Sequence, residues 1–275
     1  MDLGLENKVA LVAGGSSGLG LAAARELAME GAHVAIGARD PDRLAEAERS
    51  LKEVARGRIC AGRIDITDRA AARRWVDDVA ADLGALHIVL VSGGSPPFGP
   101  ASRFGLDEYQ AAIDRVLFPA VGLALAALPH LRAAGWGRLL FVASETASVP
   151  VPSLALSGVT RAAIVRFAQA LAAEVGRDGI TVNVLAPGGA RTPPMERVAA
   201  GLAGGGEIEP QLRAMGGHSA VGRLARPEEI AAVAAFLASE RASFVTGVVH
   251  LIDGGASVTG PDLPHLPAVH KDAGA

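Results

Sequence analysis

Ala13-Gly14-Gly15-Ser16-Ser17-Gly18-Leu19-Gly20 follows an apolar run at 9–13 and opens an amphipathic segment that ends near Gly31. Glycines at a strand-to-helix junction let the backbone turn tightly and come close to a pyrophosphate, while the helix N-terminus presents free amides and a dipole of the right sign. A glycine-rich turn alone is a weak signal; its place between the first strand and the first helix makes it a dinucleotide-binding turn. The residues assigned to this contact are Gly14, Ser16, Ser17, Gly18, Leu19 and Gly20.

Outward from this turn, short apolar runs alternate with longer amphipathic segments, the pattern of a parallel sheet covered by helices. Strands are expected at 9–13, 33–37, 58–64, 88–91, 138–142, 181–185 and 248–252. Right-handed crossovers then give an α/β fold, a Rossmann-type doubly wound parallel sheet of about seven strands. The chain of 275 residues reads as a single domain over 1–258 with a Pro-containing tail at 259–275, expected to be flexible or to lie on a neighbour. Pro119 is expected to kink a helix over 107–132, because no amide is left to meet the Arg115 carbonyl. The glycine-containing stretch 188–226 is expected to be a mobile loop or lid that sets specificity.

Composition excludes several classes. Cys60, expected on a strand, is the only cysteine, so there is neither an internal disulfide nor a cysteine-cluster metal site, and the histidines match no metal spacing. The net charge of −3, with no basic block, argues against nucleic acid. No long charge-free apolar run or basic-then-apolar leader occurs, so a cytoplasmic protein with no membrane partner and a small-molecule substrate is expected.

The chain resembles the short-chain dehydrogenase/reductase family over residues 5 to 258. The glycine-rich turn is similar to the family's Thr-Gly-x-x-x-Gly-x-Gly, with Ala13 in place of threonine. Asp65-Ile66 looks like the pair that contacts adenine; Asn183, Pro187-Gly188 and Thr192 resemble the segment that closes over the nicotinamide. Arg226-Pro227-Glu228-Glu229-Ile230, Thr246-Gly247 and Asp253-Gly254-Gly255 match the C-terminal third in order and spacing. Ser92-Gly93-Gly94 stands where Asn-Ala-Gly is usual and keeps the close backbone approach to cofactor. The resemblance implies a nicotinamide cofactor and a homo-oligomer. In NAD-preferring relatives an acidic residue ends the second strand, whereas here Ala38 is followed by Arg39, so NADP(H) is expected.

The family's Asn-Ser-Tyr-Lys group aligns with Val116, Ser144, Ser157 and Arg161, so the phenol and the lysine are both replaced. A serine hydroxyl cannot act as the phenol does, and an arginine loses its proton only above about pH 12. Only three of the 26 Lys and Arg residues are lysines, which weakens Arg161 as a signal; Tyr109, the sole tyrosine, lies two turns before Val116 and reads as packing. The reading is a divergent NADP(H)-dependent oxidoreductase acting on a carbonyl or hydroxyl of a small hydrophobic substrate. Its catalytic residues are Ser144, Ser157 and Arg161, the last ordering a proton-carrying water. Two alternatives stand beside it: non-redox chemistry with Glu145 or His218 moving protons, and a non-catalytic NADP-binding sensor or partner subunit. Pro96-Pro97-Phe98, Val149-Pro150-Val151-Pro152 and Leu154 are expected to border an apolar pocket.

Overall fold

Strand β1 (Val9–Ala13) is apolar throughout because both of its faces are covered: Val9, Leu11 and Ala13 enter one core, Ala10 and Val12 the other. The computed structural model, which describes residues 2–259, sets β1 in a seven-stranded sheet. Its partners are β2 (His33–Ala38), β3 (Ile59–Arg63), β4 (Ile88–Val91), β5 (Gly137–Val142), β6 (Ile180–Pro187) and β7 (Val249–Ile252). All pairings are parallel, in the order β3-β2-β1-β4-β5-β6-β7. The order reverses between β1 and β4, and the crevice outside their carboxyl ends is where such sheets bind ligands.

Helices α1 (Gly18–Met29), α2 (Pro41–Lys52), α3 (Arg69–Leu83), α4 (Leu106–Ala112), α5 (Phe118–Ala134), α6 (Ala155–Val175), α7 (Pro193–Ala203), α8 (Glu209–Gly216) and α9 (Pro227–Ala238) complete the described residues. One core takes Trp75 and Val76 from α3, Leu123 and Leu131 from α5 and Ile164 from α6. The opposite core takes Leu27 from α1, Leu44 and Leu51 from α2 and Leu237 from α9. The segment Leu106–Ala134 has the length and hydropathy of a membrane span, yet Leu123, Ala124, Ala127 and Leu131 are buried in the first of these cores. Cys60 lies on β3, as expected. The expected tail falls, apart from residue 259, outside the described residues.

Two expectations are refined. The helix expected over 107–132 runs over Leu106–Ala134 and contains a π-helical turn at Ile113–Leu117 just before Pro119, where the Phe118 amide donates to the Ile113 carbonyl. Pro119 sits in the first turn of α5, where its missing amide costs little. The stretch 188–226, expected as a mobile loop or lid, carries α7 and α8, each with proline in its first turn. Its glycines close α7 instead, Gly204 and Gly205 holding φ of 57° and 96°. Arg191 joins the two helices through Glu196 on α7 (3.0 Å) and Glu209 on α8 (2.6 Å).

One side chain ties the carboxyl ends of β4 and β5 to α6. Arg161 is 9% exposed, and its guanidinium donates to the carbonyls of Val142 (3.0 Å), Gly93 (3.0 Å) and Gly94 (2.6 Å). Burial pushes its pKa down to about 10, so it remains a cation at neutral pH. Arg161→Met keeps the apolar stem and removes every donor, leaving these carbonyls without their partner. A loss of about 3 kcal/mol in urea unfolding is expected, with faster amide exchange at residues 93–95. An unchanged unfolding midpoint would sink this assignment.

Candidate active site

The glycine-rich turn is held from beneath by the sheet. Gly14 and Gly15 donate to the Gly37 carbonyl (2.9 and 3.3 Å), and Ser92 donates to the Ala13 carbonyl (3.0 Å). Gly14 has φ of 75°, and a Cβ there would collide with the Ser92 carbonyl oxygen, so side chains are excluded by both conformation and space. Ser17 is the N-cap of α1 but places no side-chain oxygen on the first-turn amides. Those amides are left for an anion at the helix N-terminus, which fits a pyrophosphate. Thr192, the N-cap of α7, lies against this turn: a Cβ on Gly18 would be 3.4 Å from its Cγ2.

At the end of β2, Arg39 is exposed and follows Ala38, which is in register with Arg63 on β3. Arg63 Nε donates to the Arg39 carbonyl at 3.3 Å, so two guanidinium side chains issue from one corner of the sheet. Sequence reasoning missed Arg63, because only strand register places it next to Arg39. Asp65 accepts from the Thr67 amide (3.0 Å) and hydroxyl (2.8 Å). The Thr67 amide bond is the main cause holding its carboxyl below the usual range, and Arg39 adds to it.

Ser144 and Ser157 are brought together through a residue that sequence reasoning did not select. Ser144 caps the short turn Glu145–Ala147 and accepts from the Thr146 amide at 3.2 Å. Thr146 is buried, and its Oγ1 lies 3.2 Å from Ser157 Oγ. The result is a hydroxyl array at the end of β5 and the start of α6. Arg161, expected to face the substrate and order water, is instead spent on backbone carbonyls beneath this array; only its Nε lacks a partner. It is a positioning residue for Gly93-Gly94. Val116 is buried and packs where a Cβ on Gly94 would fall.

The remaining candidates are dispersed. Glu145 is half-buried beside Pro187-Gly188: a Cβ on Gly188 would lie 3.0 Å from its Oε2 and 2.9 Å from Asp253 Cα. Burial, followed by the charge of Asp253, pushes the Glu145 carboxyl up. Asp253 itself is opposed by burial, but amide bonds from Gly255 (2.9 Å) and Ser257 (2.8 Å) hold it below the usual range. Asn183 is fully buried and ties β6 to the turn before β7, donating to the Val245 carbonyl at 2.7 Å. His218 is exposed on the turn after α8, and Tyr109 packs edge-on to Phe104 while donating to the Ala101 carbonyl (3.2 Å).

A cavity of about 380 Å³ lies between the loop after β4 and α7. Pro96, Pro97 and Phe98 line it as expected, joined by Pro194 and Val198 of α7; residues 149–152 and Leu154 lie outside its lining. Leu154 instead forms a bridge with Gly99 that fastens this loop to the start of α6.

Residues 13–257 match the family described as enoyl-(acyl carrier protein) reductase. The chain is 36% identical over 255 residues to cis-4-hydroxycyclohexanecarboxylate dehydrogenase of Sinomonas cyclohexanicum, covering 90% of this chain and 96% of that one. It is 35% identical over 257 residues to 4-formylbenzenesulfonate dehydrogenase of Comamonas testosteroni, covering 93% and 100%. The structure of L-sorbose reductase from Gluconobacter frateurii, complexed with NADPH and L-sorbose, superposes with a TM-score of 0.90 at 35% identity, covering 94% of this chain and all of that one. The doubly wound sheet, its glycine-rich turn and this extent of likeness agree: the chain belongs to the short-chain dehydrogenase/reductase family of oxidoreductases and uses a nicotinamide cofactor.

Proposed function

We propose that the chain is an NADP(H)-dependent enzyme interconverting a carbonyl and a hydroxyl on a small, largely apolar substrate. The observation that carries this reading is the Ser144–Thr146–Ser157 hydroxyl array at the carboxyl end of the sheet, in the crevice that the glycine-rich turn also borders. A nicotinamide held over this crevice by the glycine-rich turn would supply or accept the hydride. Ser144 Oγ accepts from the Thr146 amide and so keeps its own proton for a substrate oxygen, while Ser157, paired with Thr146, offers a second polar contact. Neither hydroxyl titrates near neutrality, so the proton reaches the substrate oxygen from water. Loss of a positioned acid costs about 10²–10⁴-fold, which suits a substrate that is intrinsically easy to reduce.

The choice of NADP(H) rests on Arg39 and Arg63 at one corner and on the absence of a carboxylate at Ala38. A homo-oligomer is part of the same proposal, supported by the exposed Phe244, Val248 and Leu251 around β7.

Fluorescence titration with NADPH and NADH tests the cofactor. Tighter binding of NADPH is expected, and Arg39→Ala or Arg63→Ala weakens NADPH at least about tenfold while changing NADH little. Equal losses would overturn the 2′-phosphate assignment, and no binding of either nucleotide would overturn the redox reading. In an NADPH-oxidation assay, Ser144→Ala is expected to lower kcat about 10²-fold. Glu145 gives a pH test. Its pKa is raised by folding, so its contribution to stability is full below the unfolded value and is lost as pH rises through the folded one. Glu145→Gln therefore gains in melting temperature over the parent protein in the pH window that opens at about 4 and extends upward to the raised folded value. A constant difference across that window would show that burial does not shift this carboxyl.

A further inference from the structure

Two guanidinium groups line the cavity between the loop after β4 and α7. Arg115 stands in the π-helical turn at Ile113–Leu117 and also borders the pocket shared with Ile66 and Gly93, and Arg197 stands on α7. Both are exposed, and among the described residues neither makes a salt bridge or a side-chain hydrogen bond, although the charge of Arg115 reaches Asp65 and helps to lower its carboxyl. Their surroundings make this selective. Arg191, six residues before Arg197, is held by two glutamates, and Asp114, next to Arg115, already accepts from Gln110 at 3.0 Å. The rest of the lining is chiefly Pro96, Pro97, Phe98, Pro194 and Val198. The arginines face solvent on one side and these apolar walls on the other, so a ligand with an apolar body and an anionic end meets both in this cavity.

The cavity also stands in the right place. Its Ser95 follows Gly93-Gly94, which Arg161 holds, and its α7 wall begins just after Thr192, which lies against Gly18. It therefore adjoins the nicotinamide end of the crevice, and about 380 Å³ accommodates a ring-sized molecule. We infer that Arg115 and Arg197 bind an anionic group, a carboxylate or sulfonate, at the end of the substrate remote from the reacting carbonyl. This inference rests on the proposed oxidoreductase activity and adds a substrate class to it. A planar guanidinium pairs with either anion through two parallel hydrogen bonds and fixes the ring's orientation. The same chemistry could serve the cofactor's phosphates. We commit to the substrate because the uncapped amides of α1 face the pyrophosphate, whereas Arg197 belongs to the cover and shares its cavity with Phe98.

The test uses the full chain with NADPH and two probes, 4-oxocyclohexanecarboxylate and its neutral methyl ester. In each reduction, hydride passes from the nicotinamide to the carbonyl carbon and a proton from water to the oxygen, giving alcohol and NADP⁺. The parent protein is expected to show kcat/KM at least tenfold higher for the carboxylate than for the ester. Arg197→Ala and Arg115→Ala should each cut that ratio at least tenfold, mainly through KM, with Arg197→Lys intermediate and the Kd for NADPH unmoved. A ratio that stays constant, or a loss that falls on NADPH binding, overturns the inference. Should neither probe be reduced, quenching of bound NADPH fluorescence reads recognition directly. Quenching by the carboxylate that Arg197→Ala abolishes supports the anion site while refuting carbonyl reduction; no selective quenching refutes the anion site itself.

Discussion

A single buried cation holds the working edge of this sheet. Arg161 has no carboxylate to answer it; three backbone carbonyls from β5 and the loop after β4 share its charge. With its Nε already unpartnered, the buried guanidinium depends on all three of these carbonyls being correctly placed. The position of Gly93-Gly94 and the end of β5, where Ser144 begins the hydroxyl array, are thus fixed by one residue. A lysine could make point contacts there but could not span three acceptors with a planar fork. At the position where the family carries lysine, this arginine holds backbone.

That exchange reshapes the chemistry above it. With the phenol replaced by Ser157 and the cation withdrawn beneath the floor, the reactive surface consists of neutral hydroxyls, and formal charge is displaced to its margins. Arg39 and Arg63 stand at one margin, Glu145 against Gly188 at another, and Arg115 and Arg197 at the cavity between the β4 loop and α7. Hydroxyls polarise an oxygen without exchanging protons at neutral pH, so orientation carries more of the rate than acid strength does.

Most of the fold was legible because both faces of the central strands are buried. That leaves uninterrupted apolar runs, and the expected and observed bounds of β1 and β4 coincide. The glycine-rich turn was legible for a different reason: Gly14 meets a backbone oxygen that no side chain could clear, so the constraint is written in residue type. Where the sequence misled, the deciding force was tertiary or conformational. Glycines at 204 and 205 look like flexibility but are the left-handed close of a helix. Arg161 at one helical turn from Ser157 looks like a ligand to the site, and only burial shows which way it points. Thr146 and Arg63 were missed because each acts through a neighbour distant in sequence: Ser157 for the first, the register of β2 against β3 for the second.

The bond between α7 and α8 through Arg191 bears on how the glycine-rich turn is enclosed. One guanidinium grips a carboxylate on each helix, and Thr192, beside it, rests on the glycine-rich turn. Residues 191–198 thus serve two places at once: they carry the wall that α7 gives the cavity and the contact that Thr192 makes with the turn, so a single substitution at Arg191 bears on both.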